Sequence, residues 1–127
     1  MILFLDDTEL RHRHFTRSHI GSDVLHVWSA SQAISALEDN PTLNPIHLDH
    51  DLAYEHYGAD PESFAQGTGL QVARWLANSE HPRDTCIIIH SLNPIGSQRM
   101  AETLRQAGFT KVLLEPFRFD REMMAGI

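Results

Sequence analysis

The chain switches repeatedly between short unbroken apolar runs and longer segments whose apolar residues fall three and four apart. Ile2 to Leu5 and Cys86 to Ile89 are unbroken, and Val24 to Trp28, the stretch from Ile46 that ends at Asp49, and Lys111 to Leu114 are the other short runs. Runs of this length without alternation predict strands covered on both faces. Between them, Ser29 to about Asn40 carries Ala30, Ala33, Ile34 and Leu37 at helical spacing, with Ser29 and Gln32 as a capping box. Thr68 and Gln71 open a second such helix with Leu70, Ala73, Leu76 and Ala77 as its stripe. Asn93 is placed as an N-cap with Pro94 at the first helical position, and Gly108 with Phe109 as a Schellman stop. Thr8 to about Ser18 is the weakest helix prediction, because Leu10 and Phe15 are its few apolar points.

The resulting order, strand and helix in strict alternation, predicts a doubly wound α/β fold with five parallel strands. The expected strand order is 2-1-3-4-5, in a flavodoxin-like single domain spanning 1–127. The last helix is expected to be short or missing, since few residues follow Glu115-Pro116-Phe117. The segment Ala53 to Gly67 has no periodicity. Its Tyr54, His56, Tyr57 and Phe64 fit either a lid or an inserted segment whose aromatics pack locally.

Three of the predicted strands end in polar residues that carry chemistry. The first runs into Asp6 and Asp7, the third into Asp49, His50 and Asp51, and the fourth into His90 and Ser91. In the expected strand order these three tips are neighbours, at the edge where open α/β sheets bind ligands. Clustered carboxylates at Asp6, Asp7 and Asp49 repel one another unless a hard divalent cation, Mg²⁺ or Mn²⁺, sits among them. The competing role for Asp6 or Asp7 is to cap the helix that follows. His50 and His90 are expected to face one another across a substrate as acid and base, with a neighbouring carboxylate raising the imidazole pKa. Ser91 and the amides after it precede a helix N-terminus, where phosphate oxygens bind. The other histidines, such as His12, His14, His19 and His81, are expected on the surface.

Composition narrows the partners. A formal charge of -7 at 127 residues argues against a broad footprint on duplex DNA. A single cysteine, Cys86, allows no internal disulfide, and no apolar run approaches membrane-spanning length or a leader segment. The expectation is a cytoplasmic protein that does not engage a membrane.

These tip motifs resemble those of response-regulator receiver domains. There an acidic pair ends strand one, an Asp ends strand three, a Ser or Thr ends strand four, and a Lys before Pro ends strand five. Asp6/Asp7, Asp49 and Ser91 match, whereas Glu115 stands where the Lys would be. The chain resembles more closely the receiver-like family proposed to process cyclic phosphates. That resemblance rests on Phe4-Leu5-Asp6-Asp7, Leu48-Asp49-His50-Asp51-Leu52, Thr68-Gly69, and Ile89-His90-Ser91 with Asn93-Pro94, Gly96, Arg99 and Met100. It implies a phosphoesterase acting on a cyclic phosphate, such as a 2′,3′-cyclic RNA end or a cyclic nucleotide. In that reading Asp6, Asp7 and Asp49 hold the metal, and His50, His90, Asp51 and Ser91 carry the reaction. Ser91, Asn93, Arg99 and Thr68 then bind phosphate. The rival is a degenerate receiver that binds a protein or nucleotide without turnover, which Glu115 favours.

Overall fold

The structure is a computed structural model, and it describes residues 1–52 and 67–116. The elements follow in the order β1 (Ile2–Leu5), α1 (Glu9–Ser18), β2 (Val24–Val27), α2 (Ala30–Asp39), β3 (Ile46–Leu48), α3 (Gly69–Ala77), β4 (Cys86–Ile89), α4 (Pro94–Gln106) and β5 (Lys111–Leu114). The five strands are parallel in the order β2-β1-β3-β4-β5, as the alternation predicts. The expected lid segment and last helix lie outside the described residues. None of the described helices is long and apolar enough to cross a membrane.

The local signals act largely as expected. Ser29 Oγ accepts from Gln32 N at 3.2 Å, and the Gln32 side chain reaches back to accept from Trp28 N at 2.8 Å. Asn93 Oδ1 accepts from Gly96 N at 2.9 Å with Pro94 opening α4. At the other end of α4, Gly108 takes a φ of +101°, open to glycine without a Cβ penalty. There Phe109 N bonds Leu104 O at 3.1 Å and Gly108 N bonds Arg105 O at 3.0 Å, closing the Schellman turn. At α3 only half of the box forms: Gln71 Oε1 accepts from Gly67 N at 2.6 Å, while the Thr68 side chain makes no cap bond.

The period-two alternation of the strands sorts their side chains onto two faces. Leu3, Leu5, Ile46, Leu48, Ile87 and Ile89 point one way and join α2, α3 and α4 in the main core. Phe4, His26, His47, Ile88 and Leu113 share a register row on the other face, which α1 covers. That second face is aromatic and imidazole-rich. Phe4 stacks on Phe15 at 4.2 Å between ring centroids, Phe15 on His19 at 3.9 Å, and His12 on Trp28 at 4.1 Å.

The surface assignment of the histidines is therefore corrected. His12, His14 and His81 are buried, and His19 is half-buried. Each of three has its polar atoms placed. His12 Nε2 donates to Asp6 O at 2.8 Å, which leaves His12 Nδ1 to accept from His26 Nδ1 at 2.7 Å. His81 Nε2 donates to Leu43 O at 3.0 Å, and His19 Nδ1 donates to Phe15 O at 2.9 Å. A histidine whose N–H groups find carbonyls buries its ring as an aromatic.

Candidate metal and phosphate site at the strand tips

The ladder continues one residue past each strand end. Asp6 N bonds Val27 O at 3.2 Å, Asp49 N bonds Leu5 O at 3.1 Å, His90 N bonds Leu48 O at 3.0 Å, and Glu115 N bonds Ile89 O at 2.9 Å. The tip residues are thus fixed by the sheet before any side-chain contact forms. By the same alternation, Asp6, Asp49 and His90 project on the side of Phe4, His47 and Ile88, toward α1.

Asp6, Asp49 and His90 are buried, and each offers a ligand atom within 4.8 Å of the others. His90 Nε2 bonds Asp6 Oδ2 at 2.8 Å, and its ring lies flat on Phe4 at 5.0 Å and 5°. Asp6 Oδ1 accepts from Thr8 N at 2.8 Å, so Asp6 also steadies the entry to α1. Arg11, one turn into α1, places Nη1 at 3.2 Å from Asp6 Oδ2 and 3.4 Å from Asp49 Oδ2. Asp7 is half-buried and stands outside this group; its carboxylate accepts from Thr8 Oγ1 at 3.3 Å. The closely spaced group of potential ligand atoms among the described residues is thus Asp6, Asp49 and His90.

Electrostatics follow from burial. Desolvation, followed by the Asp6 charge, pushes the Asp49 carboxyl up to about 8, with Arg11 opposing. Asp6 is also raised by desolvation, but its bonds to His90 and the charges of His90 and Arg11 outweigh burial and hold it below the usual range. For His90, burial lowers the pKa and outweighs the hydrogen bond to Asp6. The upward shift expected from a neighbouring carboxylate is thus corrected to a downward one set by burial, while Nε2 keeps its hydrogen bond to Asp6 Oδ2.

His50 lies on the other side of the sheet edge. Its Nδ1 donates to Asp51 Oδ1 at 2.6 Å, and Asp51 also accepts from Asn93 Nδ2 at 3.3 Å. That bond fixes the tautomer, leaving Nε2 as the basic nitrogen. His50 Nε2 is buried and has no hydrogen-bond partner among the described residues. The expected His50–His90 pair across a substrate is therefore two separate units, His50–Asp51 against α4 and His90–Asp6 against α1. Adjacent strand tips were correct; the side each ring takes follows from its place in the alternation, two residues after Leu48 or after Ile88.

The glycines of the motifs are packing requirements. A Cβ at Gly69 would stand 1.9 Å from Asp49 O, and one at Gly96 would stand 2.6 Å from His50 Cγ. Gly69 N also donates to His50 O at 2.8 Å. Thr68-Gly69 and Asn93-Pro94-Ile95-Gly96 thus seat α3 and α4 directly on the third strand tip.

The proposed phosphate ligands divide. Ser91 and Thr68 are buried at the tips, with Ser91 Oγ accepting from Asn93 N at 3.0 Å. Arg99 is exposed on α4, where it forms an ion pair with Glu102 of the same helix at 3.8 Å. A cavity of about 200 Å³ opens on the α1 face beside His90, lined by His14, Phe15, His47, Ile88 and Glu115 among others. Sequence reasoning missed Arg11 and the aromatic bed under His90.

The comparisons with known proteins agree with this geometry. Two solved two-component system response regulator/GGDEF domain proteins superpose with TM-scores of 0.61 and 0.60 at 20% and 19% identity. Each match covers 98% of this chain but only 46% and 45% of the other, so the chain spans under half of those proteins' length. They establish the fold. No curated protein sequence matches the chain. The model of the cyclic-phosphate processing receiver domain matches residues 1–106, which include the tips of β1, β3 and β4, and the chain belongs to that family.

Proposed function

We propose that the protein is a metal-assisted phosphoesterase that opens a cyclic phosphate, either at a 2′,3′-cyclic RNA end or in a cyclic nucleotide. The observation that carries this reading is the buried Asp6–Asp49–His90 group at the same edge of strand tips as a buried His50 whose basic nitrogen lacks a partner among the described residues. Two carboxylates and an imidazole form a donor set that fits Mg²⁺ or, with its greater tolerance for nitrogen, Mn²⁺. Bound there, such a cation would neutralise charge developing on the phosphoryl oxygens.

The chain's own groups supply the remainder. His50 Nε2 takes the proton of the attacking water, and Asp51 holds the ring and balances the imidazolium that results. In the metal-free protein His90 gives Nε2–H to Asp6 and so orients that carboxylate; as a metal ligand it would give up that proton. Ser91, Asn93 and Thr68 offer hydroxyl and amide contacts to phosphate. Among the described residues Arg11 is the cation nearest the acids, a better candidate for the phosphate than Arg99. The net charge of -7 favours a small ligand or a single-stranded end over duplex DNA.

The test is a screen of 2′,3′- and 3′,5′-cyclic nucleotides and cyclic-ended RNA, with and without Mg²⁺ or Mn²⁺. A metal-dependent product is expected, with His50→Ala lowering turnover by about 10²–10⁴ while binding persists. Ligand binding by the wild type without any turnover would instead support the second reading, a binding module. Glu115 favours that reading, since it replaces the Lys of signalling receivers.

A further inference from the structure

Arg11 occupies an unusual position for a salt-bridging arginine. One nitrogen, Nη1, is shared among three carboxylate oxygens: Asp6 Oδ2 at 3.2 Å, Asp6 Oδ1 at 3.4 Å and Asp49 Oδ2 at 3.4 Å. Close guanidinium–carboxylate bonds are about 2.7–2.9 Å and use two nitrogens in a fork. Here the group instead sits as a point charge between two acids, the position a small cation would take. The Arg11 side chain is 17% exposed, whereas those of Asp6 and Asp49 are 0% and 3% exposed, so it enters the site from the solvent side. Its backbone belongs to α1, not to the sheet, so the side chain can withdraw without disturbing the ladder that fixes the acids. Glu115 at the tip of β5 brings a negative charge, so α1 supplies the cation that β5 does not.

We propose that Arg11 is a displaceable counter-ion: it fills the seat between Asp6 and Asp49 in the metal-free protein, yields it to a divalent cation, and then engages the phosphate. The inference rests on the cation-seat part of the function proposed above but not on the identity of the substrate. Three long contacts, two to Asp6 and one to Asp49, hold the guanidinium in the seat. They are weak enough for a divalent ion, with its higher charge density, to win. Once released, the guanidinium remains within one side-chain length of the seat, where a phosphate oxygen bound to the cation would meet it. Metal and phosphate then bind cooperatively, because the first frees the ligand for the second.

The test compares wild type with Arg11→Met by calorimetric titration of Mg²⁺ and Mn²⁺, then of inorganic phosphate onto the metal-saturated proteins. Removing an internal competitor should tighten metal binding roughly 5–100-fold and weaken phosphate binding by a similar factor. Equal or weaker metal binding in Arg11→Met overturns the proposal while leaving the cation seat intact. No metal binding in either protein overturns the proposal and the metal-assisted function together. Unchanged phosphate affinity overturns the second role of Arg11. If Arg11→Met does not fold, side-chain ¹⁵N spectra of the wild type decide. Saturating Mg²⁺ should free the Arg11 guanidinium to rotate, and a signal that Mg²⁺ leaves unchanged refutes the displacement.

Discussion

Replacing Asp49 by Asn should stabilise the metal-free protein, and increasingly so as pH rises. Asp49 is 2% exposed and burial raises its pKa to about 8 from the ordinary carboxylate value of 3.8. Between those two values the native carboxyl holds a proton that the unfolded one has lost. Native therefore binds more protons than unfolded, and stability falls as pH rises through that window. The full shift of about four pH units corresponds to ~6 kcal/mol if the site stays rigid. Water entering around the carboxylate reduces this, and ~2–3 kcal/mol at pH 8.5 is the expected difference between Asp49→Asn and wild type. For a chain of this size that is roughly 10 °C in melting temperature. The Asn side chain retains an acceptor for His50 N, which bonds Asp49 Oδ1 at 2.9 Å, so the substitution removes charge rather than structure. The assay is urea unfolding of both proteins from pH 5 to 9 in chelator, followed by repetition in Mg²⁺. The gap should open with pH in chelator. In Mg²⁺ it should close or reverse, because the ion stabilises only the carboxylate-bearing protein. A gap that stays constant across that range would refute a proton held on Asp49 in the fold.

The remaining predictions concern packing and the imidazole face. His47 is held neutral, with its pKa lowered to about 3 by burial and then by His90 and His19, so stability is lost as pH falls from about 6.5 toward 3. His47→Gln should lose about 2 kcal/mol less than wild type between pH 7 and pH 4, read from the same unfolding curves. Gly96→Ala drives a methyl into the His50 ring and should cost about 1–3 kcal/mol, with turnover falling further than stability because the His50–Asp51 pair is displaced. Gly69→Ala meets main chain at Asp49 rather than a side chain, so it should be the more damaging of the two in a thermal melt.

The strands and their order were legible because β1 and β4 are unbroken apolar runs and α2 and α4 carry their own caps. The α1 helix was nearly invisible for the opposite reason. Its buried residues are His12, His14 and Phe15, and a pattern that counts imidazole as polar finds no apolar stripe there. Reading His12, Phe15 and His19 as one aromatic row, three and four residues apart, restores the periodicity. Arg11 could have been anticipated in the same way. A helix that begins directly after a strand tip brings the side chain four or five residues past the last strand-end acid back over that tip. The protonation of His90 was not legible, because whether burial or Asp6 prevails depends on how deeply the ring is seated. That depth comes from Phe4, a neighbour on another strand.

The seam where α3 meets the third strand tip has a consequence for how this scaffold can vary. Asp49, His50 and Asp51 are locked by the ladder, by the Gly69 N bond to His50 O at 2.8 Å, and by a glycine contact too close for any side chain. The chain leaves this seam after Leu52 and returns to it at Gly67, whose N–H is tied to Gln71. Both ends of the intervening stretch are therefore anchored independently of its content. Lengthening a loop with fixed ends costs little, about 0.6 kcal/mol per doubling. Changes of sequence between these two anchors are thus expected to leave the acids and imidazoles of the strand tips in their positions.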